Sequence, residues 1–399
     1  MQEVSIARHV ADDFPVGYYR IHSNVGFNFQ MNRWLNWMGA DSASALAEMR
    51  AAAQLIGNCA DFVREFSILA RNAVGDARSR KRGLYTRAAE FFMAPGSPEK
   101  ASARTLFVRL MREYHGVLTS DYHVVPYRDG MLPCYVFAPK HDAASGTIVI
   151  HGGFDSYIEE WFPAVLWLRD AGYRVVAFDG PGQGGAREQY GLPLTAQWEK
   201  PVGAVLDYFG FDDVTLLGFS LGGGLAILAA TLEPRVRRVI ADDVLTDFLA
   251  VTLGQLHPAT HVLVRGLLAA RAAPVLNAVA SRAMQTSLIA DWGVRQGMHV
   301  MGVRTPAAFF RALRPYSTLS RSYLVTQDVL LMAGAEDHYV PRAQLTRQIE
   351  ALTCARSITA RMFTREEAAQ NHCQIGNLGL SLRVIRDWIE QRRREPPVP

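Results

Sequence analysis

One serine in this chain sits where a side-chain oxygen can act as a nucleophile. Ser220 lies in LLGFSLGGG, residues 216–224, with Gly218 and Gly222 two positions to either side. A short apolar run precedes it and the helix-compatible GLAILAATL follows. The G-x-S-x-G spacing has a steric reason: a serine on a tight strand-to-helix turn is held in a strained conformation, and small neighbours let adjacent backbone pass close by. A phosphate-binding loop would need Lys followed by Ser or Thr after its glycines, and Leu225-Ala226 stands there instead. A dinucleotide fingerprint fails as well, because the glycines do not fall as G-x-G-x-x-G.

A serine hydroxyl is a poor nucleophile near neutral pH, so it requires a general base and a carboxylate to orient that base, in chain order serine, acid, histidine. Asp337 follows the strand-like VLLMAGAED, and His372 lies in EEAAQNHCQIG after the last apolar run. A parallel sheet delivers both to the edge that carries Ser220. The oxygen of a tetrahedral intermediate needs two amide donors, expected from Leu221, just after the serine, and from Phe154 in TIVIHGGFDS. There Gly152 and Gly153 let the backbone approach a substrate. Asp179-Gly180-Pro181-Gly182-Gln183-Gly184 reads as a tight turn that keeps the rim compact.

Each of these residues has a plainer reading. His151 suits a structural role at a strand end, Asp337 alone a helix N-cap, and His338 an exposed or rim position. Glu366 and Glu367 compete with Asp337 as the acid, but they lie close to His372 in sequence and away from a strand end. Gly153, Asp155 and Asp247 are candidate substrate contacts. Asp155, with Ser156, Glu159 and Glu160, also fits the positive end of a helix, and Asp247 fits a helix cap. The aromatic stretch GFNFQMNRWLNWMG suits either a cavity lining or a core.

The elements that must position these residues have a clear rhythm. From His123 onward two strands joined at Asp129-Gly130 lead into short runs at 147–150, 174–178, 214–217, 236–241, 329–333 and 358–363, alternating with helical patterns. That alternation predicts an α/β fold with a mostly parallel, doubly wound sheet. Upstream, helical spacing runs from about Ala43 to Tyr114, broken at Pro95-Gly96-Ser97-Pro98. The expected organisation is a helical cap over residues 1–122, a catalytic domain over 123–390 with an inserted helical lid at 243–322, and a disordered tail at 391–399.

Bulk properties narrow the function classes. A chain of 399 residues with 49% hydrophobic and 20% charged side chains has the balance of a globular protein, well away from disordered compositions. The net charge of +4 carries no long basic stripe; Arg78 to Arg82 and Arg392 to Arg394 read as a solvated helix end and a frayed tail, which argues against nucleic acid. No apolar run reaches about 18 residues, so no membrane span is expected. Cys59, Cys134, Cys354 and Cys373 lack C-x-x-C spacing, and the first residues lack a basic-then-apolar signal pattern, which points to free thiols in the cytoplasm. No metal or other cofactor is called for. The expected partner is a small carbonyl compound; a homodimer is the one protein assembly left open.

Six motifs, GFNFQMNRW, FFMAPGSPEKA, HGGFDSYIEEW, GFSLGGGLA, GAEDHYVP and NHCQIGN, spread over nearly the whole chain. In them it resembles the α/β-hydrolase superfamily, and within it the group containing dihydroxypseudooxynicotine hydrolase and the fungal polyketide-shortening hydrolases of pigment synthesis. The resemblance implies an N-terminal helical cap, carbonyl substrates that include ketones cleaved at a carbon-carbon bond, Ser220, Asp337 and His372 as the triad, and Phe154 and Leu221 as oxyanion donors. The chain departs from the related pattern at Asn371, where an acidic residue is usual. The expected function is a serine hydrolase acting on a carbon-carbon bond or ester through an acyl-enzyme. An acyltransferase or cyclising thioesterase, and a non-catalytic small-molecule receptor on the same scaffold, are the alternatives.

Overall fold

Residues 14–73, 79–140 and 145–394 are described by a computed structural model. Five helices come first: α1 (Val25–Asn36), α2 (Ser42–Ala53), α3 (Cys59–Asn72), α4 (Ser79–Phe91) and α5 (Pro98–His115). Local chemistry sets several of their ends. The side chains of Asn24, Asn58 and Ser97 cap α1, α3 and α5 by accepting from the amides of Phe27, Asp61 and Lys100. Pro98 opens α5, where its missing N–H costs nothing, and Gly116 closes it in the left-handed conformation. On α3, Phe62, Phe66 and Ala70 recur at four-residue spacing and are buried.

The stretch GFNFQMNRWLNWMG, outside the expected helical segment, supplies α1. Nearly every side chain of that helix is buried, so it has no polar face from which periodicity could be read. Phe27 packs against Phe62 and Phe92, Trp34 against Phe91, and Trp37 against Trp161.

The sheet has eight strands: β1 (Tyr122–Tyr127), β2 (Gly130–Phe137), β3 (Thr147–His151), β4 (Arg174–Phe178), β5 (Val214–Phe219), β6 (Val236–Asp242), β7 (Asp328–Gly334) and β8 (Ser357–Phe363). Their spatial order is β1-β2-β4-β3-β5-β6-β7-β8, with β2 alone running against the others. Tyr127 pairs with Gly130, so the first hairpin turns on Arg128-Asp129, one residue earlier than expected, with Arg128 at φ 52°. Every residue of β3, β5 and β7 is buried, as central parallel strands covered on both faces must be.

The chain crosses between strands through α6 (Phe162–Asp170), α7 (Gly184–Glu188), α8 (Glu199–Phe209) and α9 (Leu221–Ala230). Between β6 and β7 it makes five further helices: α10 (Phe248–Gly254), α11 (Pro258–Ala269), α12 (Ala273–Thr286), α13 (Leu288–Met301) and α14 (Pro306–Ala312). Two more, α15 (Ala343–Ala351) and α16 (Leu378–Arg394), flank β8. Alternate strand residues feed two cores. Ile148, Ile150, Leu217 and Leu330 pack with α6, α16 and the N-terminal helices, while Val149, Leu216, Val239 and Leu331 pack with α8, α9, α15 and the β6–β7 helices.

Two expectations need correction. Residues 391–394 continue α16 as its last turn, where arginines meet the negative helix end, and residues 395–399 lie outside the described residues. The Arg78–Arg82 cluster is not a solvated helix end: Arg78 lies outside the described residues, but Arg80 and Lys81 are buried and pair with Asp41 and Glu48. All four cysteines are free. Among the described residues no helix is long and apolar enough to cross a membrane.

The N-terminal helices meet the sheet through buried charge as well as apolar packing. Arg33 of α1 pairs with Asp155 (3.1 Å) and Glu160 (2.5 Å), and Arg87 of α4 pairs with Glu160 (2.5 Å) and with Glu90. Lys100 of α5 reaches Glu90 at 2.7 Å, and Tyr157 donates to the same carboxylate. Three cations and three anions thus interlock in a region where an unpaired charge would be costly.

Candidate active site

β5 ends at Phe219 and α9 begins at Leu221, which leaves Ser220 alone on the turn with φ 60° and ψ −123°. An L-residue enters that region only when its surroundings impose it. The Ser220 amide donates to Asp242 O at 2.6 Å, and the Ser220 carbonyl accepts from Gly223 at 2.9 Å. A Cβ at Gly218 would lie 2.0 Å from Gly222 O, and one at Gly222 would lie 2.4 Å from Gly152 O. The glycines are therefore a packing requirement of the turn.

The structure brings Ser220, His372 and Asp337 into one hydrogen-bonded row. His372 Nε2 lies 2.7 Å from Ser220 Oγ, and His372 Nδ1 lies 2.6 Å from Asp337 Oδ2. Asp337 Oδ1 accepts from the amides of Tyr339 (2.7 Å) and Val340 (3.0 Å), leaving Oδ2 for the imidazole. With Nδ1–H donating to the carboxylate, Nε2 is free to accept from the serine hydroxyl. β7 and β8 are neighbours, so the loops after them deliver acid and histidine side by side.

A second carboxylate stands at the same imidazole, one that sequence reasoning passed over. Asp243 Oδ2 is 3.1 Å from His372 Nδ1, and the side chain is fully buried just beyond β6. Its position at the C-terminal end of a predicted strand was the available signal; it served only to mark where the insertion begins. Burial alone would lower the His372 pKa, but the Asp337 charge and hydrogen bonds to both carboxylates outweigh it and hold the imidazole well above its usual value. Burial raises the Asp337 carboxyl, yet the facing imidazole brings it below the ordinary carboxylate range. Asp243 is pushed up to about 6, by burial first and then by Asp337, and Asp242 rises well above normal through burial and Asp243.

Among the described residues, Asp243, His372 and Cys373 form the one group whose donor atoms could converge on a metal. Those atoms are already committed: Nδ1 faces the carboxylates, Asp243 accepts from the Cys373 amide at 2.8 Å, and burial pushes the Cys373 thiol up to about 11, which disfavours a thiolate ligand.

Phe154 and Leu221 line the same cavity as Ser220. Leu221 opens α9, where first-turn amides have no acceptor inside the helix. Gly153 brings the β3 loop against the serine turn, since a Cβ there would lie 2.7 Å from Phe219 O and 2.9 Å from Leu221 N. The loop is braced from outside. Gln183 Nε2 donates to Gly152 O (2.6 Å) and Gly153 O (3.1 Å), and Arg87 donates to Asp155 O. The rim turn expected at residues 179–184 thus acts on the loop through the Gln183 side chain. Asp179 adds to this by accepting from the amides of Ile158 (3.1 Å) and Gly185 (2.7 Å).

Other candidates fall into place. Asp155 lines the cavity with its carboxylate on Arg33. Asp247 does not line it: its side chain caps α10 by accepting from Ala250 N at 2.9 Å, and its amide donates to Gln344. The helix-cap reading replaces the substrate contact. His151 is buried between Gly152 O and the Trp198 indole N–H, with its pKa lowered to about 4 by burial. His338 packs on Phe29 and Tyr339, and Glu367 is occupied by Arg361 and the Thr364 amide. Asn371, the departure from the related pattern, donates to Ile375 O and closes the histidine turn.

The cavity measures about 180 Å³ as space open to the centres of water molecules. Phe29, Phe154, Phe248, Trp292, Phe309 and Tyr339 supply much of its wall, from α1, the β3 loop, the β6–β7 helices and the β7 loop. Two buried polar atoms of lining residues, Gln30 Oε1 and Trp161 Nε1, have no hydrogen-bond partner within the described protein.

Comparison with known proteins agrees with this architecture. Residues 147–372 match the model of the alpha/beta hydrolase family. Hydrolase LUC6 of a Fusarium species is 26% identical over 415 residues, covering 94% of this chain and 98% of that protein. The 20-hydroxy-prefusarin hydrolase FUS2 of Gibberella moniliformis is 28% identical over 378 residues, covering 88% and 85%. Hydrolase acrC of Aspergillus aculeatus is 30% identical over 304 residues, covering 67% and 69%. Two solved structures share the fold: 2,6-dihydroxy-pseudo-oxynicotine hydrolase (TM-score 0.59, 19% identity, 86% and 91% coverage) and AbyA5 (TM-score 0.63, 16% identity, 89% and 93%). With more than half its length matched and its sheet order and serine turn accounted for, the chain belongs to the alpha/beta hydrolase family.

Proposed function

We propose that the protein is a serine hydrolase that cleaves an ester or a carbon-carbon bond beside a carbonyl in a medium-sized, mostly apolar substrate of polyketide-like or aromatic type. The observation that carries this reading is the Ser220–His372–Asp337 row opening onto an aromatic cavity. Ser220 Oγ attacks the carbonyl while His372 Nε2 takes its proton, and Asp337 holds the imidazole in the required tautomer. The oxyanion lies against the Phe154 and Leu221 amides. His372 then protonates the leaving group, and water releases the acyl-enzyme.

An ester makes the lighter demand. For carbon-carbon cleavage the departing carbanion must be stabilised by the substrate itself, as in a 1,3-diketone or an electron-rich aryl ketone. The aromatic, apolar wall suits such molecules better than an extended peptide. Helices α1–α5 serve in this reading as a cap that excludes water, since α1 contributes Phe29, Gln30 and Arg33 to the wall and Trp37, just past its end, adds to them. The relative that acts on 20-hydroxy-prefusarin, by its name, lends the substrate class support.

A fluorophosphonate probe should label Ser220, and both Ser220→Ala and His372→Ala should abolish labelling and lower turnover by several orders of magnitude. Mass spectrometry of reactions with a short aryl ester, an aryl 1,3-diketone and a peptide amide should show turnover of the ester or diketone only. Preferential peptide cleavage would overturn the substrate class, and a product carrying an added alcohol or amine would reassign the enzyme to acyl transfer. Only the neutral imidazole can accept the serine proton, and its pKa is raised. kcat/KM should therefore climb with pH along a limb centred above 6.5.

A further inference from the structure

Two carboxylates face one imidazole nitrogen. Asp337 Oδ2 lies 2.6 Å from His372 Nδ1, and Asp243 Oδ2 lies 3.1 Å from the same atom. They come from the ends of neighbouring parallel strands, β7 and β6, which is why they arrive together. Asp337 is held by amides of its own loop, whereas Asp243 is held by the turn that carries the histidine: Cys373 N donates to Oδ2 at 2.8 Å and Gln374 Nε2 to Oδ1 at 2.9 Å. An anchor for that turn would need these two contacts alone. The approach of Oδ2 to within 3.1 Å of Nδ1 adds a third, beside the nitrogen whose proton faces Asp337.

We propose that Asp243 is a second positioning residue for His372, sharing the Nδ1 proton with Asp337 and taking over the orienting role when Asp337 is lost. The proposal rests on the serine-hydrolase reading. When Ser220 gives up its proton, the imidazolium forms between two anions in a site shielded from bulk water, which favours the charged state more than one carboxylate can. The titratable groups facing Asp243 are Asp242, Asp337, His372 and Cys373. On the acid side Asp243 takes up a proton, close enough to Asp337 to donate a hydrogen bond to it.

Steady-state kinetics on a p-nitrophenyl ester, with melting temperatures in parallel, test this in Ser220→Ala, Asp337→Asn, Asp243→Asn and the double Asp variant. Losing the sole orienting acid of such a triad costs about 10,000-fold in kcat. With Asp243 in place, Asp337→Asn should lose only about 100-fold, and the double variant should fall to the full loss. Asp243→Asn should lose about 10-fold in kcat at unchanged KM. Its acid limb should also move to lower pH, because an anion that favours imidazolium is gone. Asp337→Asn already at the level of the double variant, or Asp243→Asn with kcat and limb unchanged, would overturn the proposal alone. Full turnover by Ser220→Ala would overturn the serine-hydrolase reading and this inference with it. Should Asp243→Asn fail to fold, the downfield Nδ1 proton resonance of Asp337→Asn decides: it persists if Asp243 holds the proton and is lost if not.

Discussion

The cavity is walled from two sides by helices of opposite character. The N-terminal helices are fastened to the sheet by interlocked buried charges, with Arg33, Arg87 and Lys100 set against Glu90, Asp155 and Glu160. The helices between β6 and β7 rest mostly on apolar contacts, with His299 on Glu188 (2.7 Å) and the Trp292 indole on Phe91 O (3.1 Å) as polar ties, and leave large side chains in solvent, such as Val262 at 72% and Val275 at 52% exposure. Charged contacts are directional, so the first wall has one allowed seat. Apolar contacts tolerate sliding, so the second can adjust. The directional wall holds the backbone and charge of the loop carrying Phe154, through Arg33 on Asp155 and Arg87 on the Asp155 carbonyl, whereas the second wall meets that loop only by ring packing of Phe248 and Trp292 on Phe154.

That contrast can be broken from its strongest point. Glu160→Gln strips one anion from the network and leaves Arg33 and Arg87 short of charge in a buried site. Stability should fall by about 3–5 kcal/mol, read by denaturant or thermal unfolding. A loss below 1 kcal/mol would mean that the charges are not what seats the N-terminal helices.

A smaller effect is expected where the loop is braced without charge. Gln183→Leu removes the donor to Gly152 O and Gly153 O and leaves those carbonyls unsatisfied, at a cost of about 1–3 kcal/mol. Because the Gly153 carbonyl that Gln183 holds shares a peptide plane with the Phe154 amide, the proposed oxyanion role requires kcat to drop while KM stays near the wild-type value. A change confined to KM would separate the loop from the oxyanion role.

Gln30→Leu tests whether the polar spot in the wall reads a substrate group. Among the described residues Gln30 Oε1 is buried without a partner, so substrates bearing a hydroxyl that reaches it should lose about tenfold in affinity, and those without one should be unaffected. The smallest change belongs to the second wall. Val262→Ser, on the exposed side of α11, should shift stability by no more than about 0.5 kcal/mol, and a large loss would show that this face is covered in solution.

Much of the catalytic half was legible because its signals are local. The strand rhythm follows from burial on both faces, and the residues two either side of Ser220 are glycines because neighbouring backbone leaves no room for a Cβ. Serine, acid and histidine in that order along a parallel sheet arrive at one edge by topology, which is how Asp337 and His372 could be picked out beforehand. Helix α1 was not legible: its aromatic and asparagine-rich residues are buried all round, so the 3.6-residue contrast between wet and dry faces is missing. The hairpin turn was misplaced by one residue because Arg128, not Gly130, adopts the positive φ.

By itself the sequence determined the mostly parallel sheet, the alternation of strand and helix along the chain and the three side chains at the sheet's C-terminal edge, since each depends on short spacings and on handed connections. Only the tertiary structure decided that Asp243 joins His372 across 128 intervening positions, that Gln183 braces the Gly152-Gly153 backbone, and that Asp247 caps a helix instead of lining the cavity. These contacts have no period and no fixed offset. They exist because strand ends and loops far apart in the chain converge in space, and the buried charges that seat α1 and α4 on the β3 loop arise in the same way.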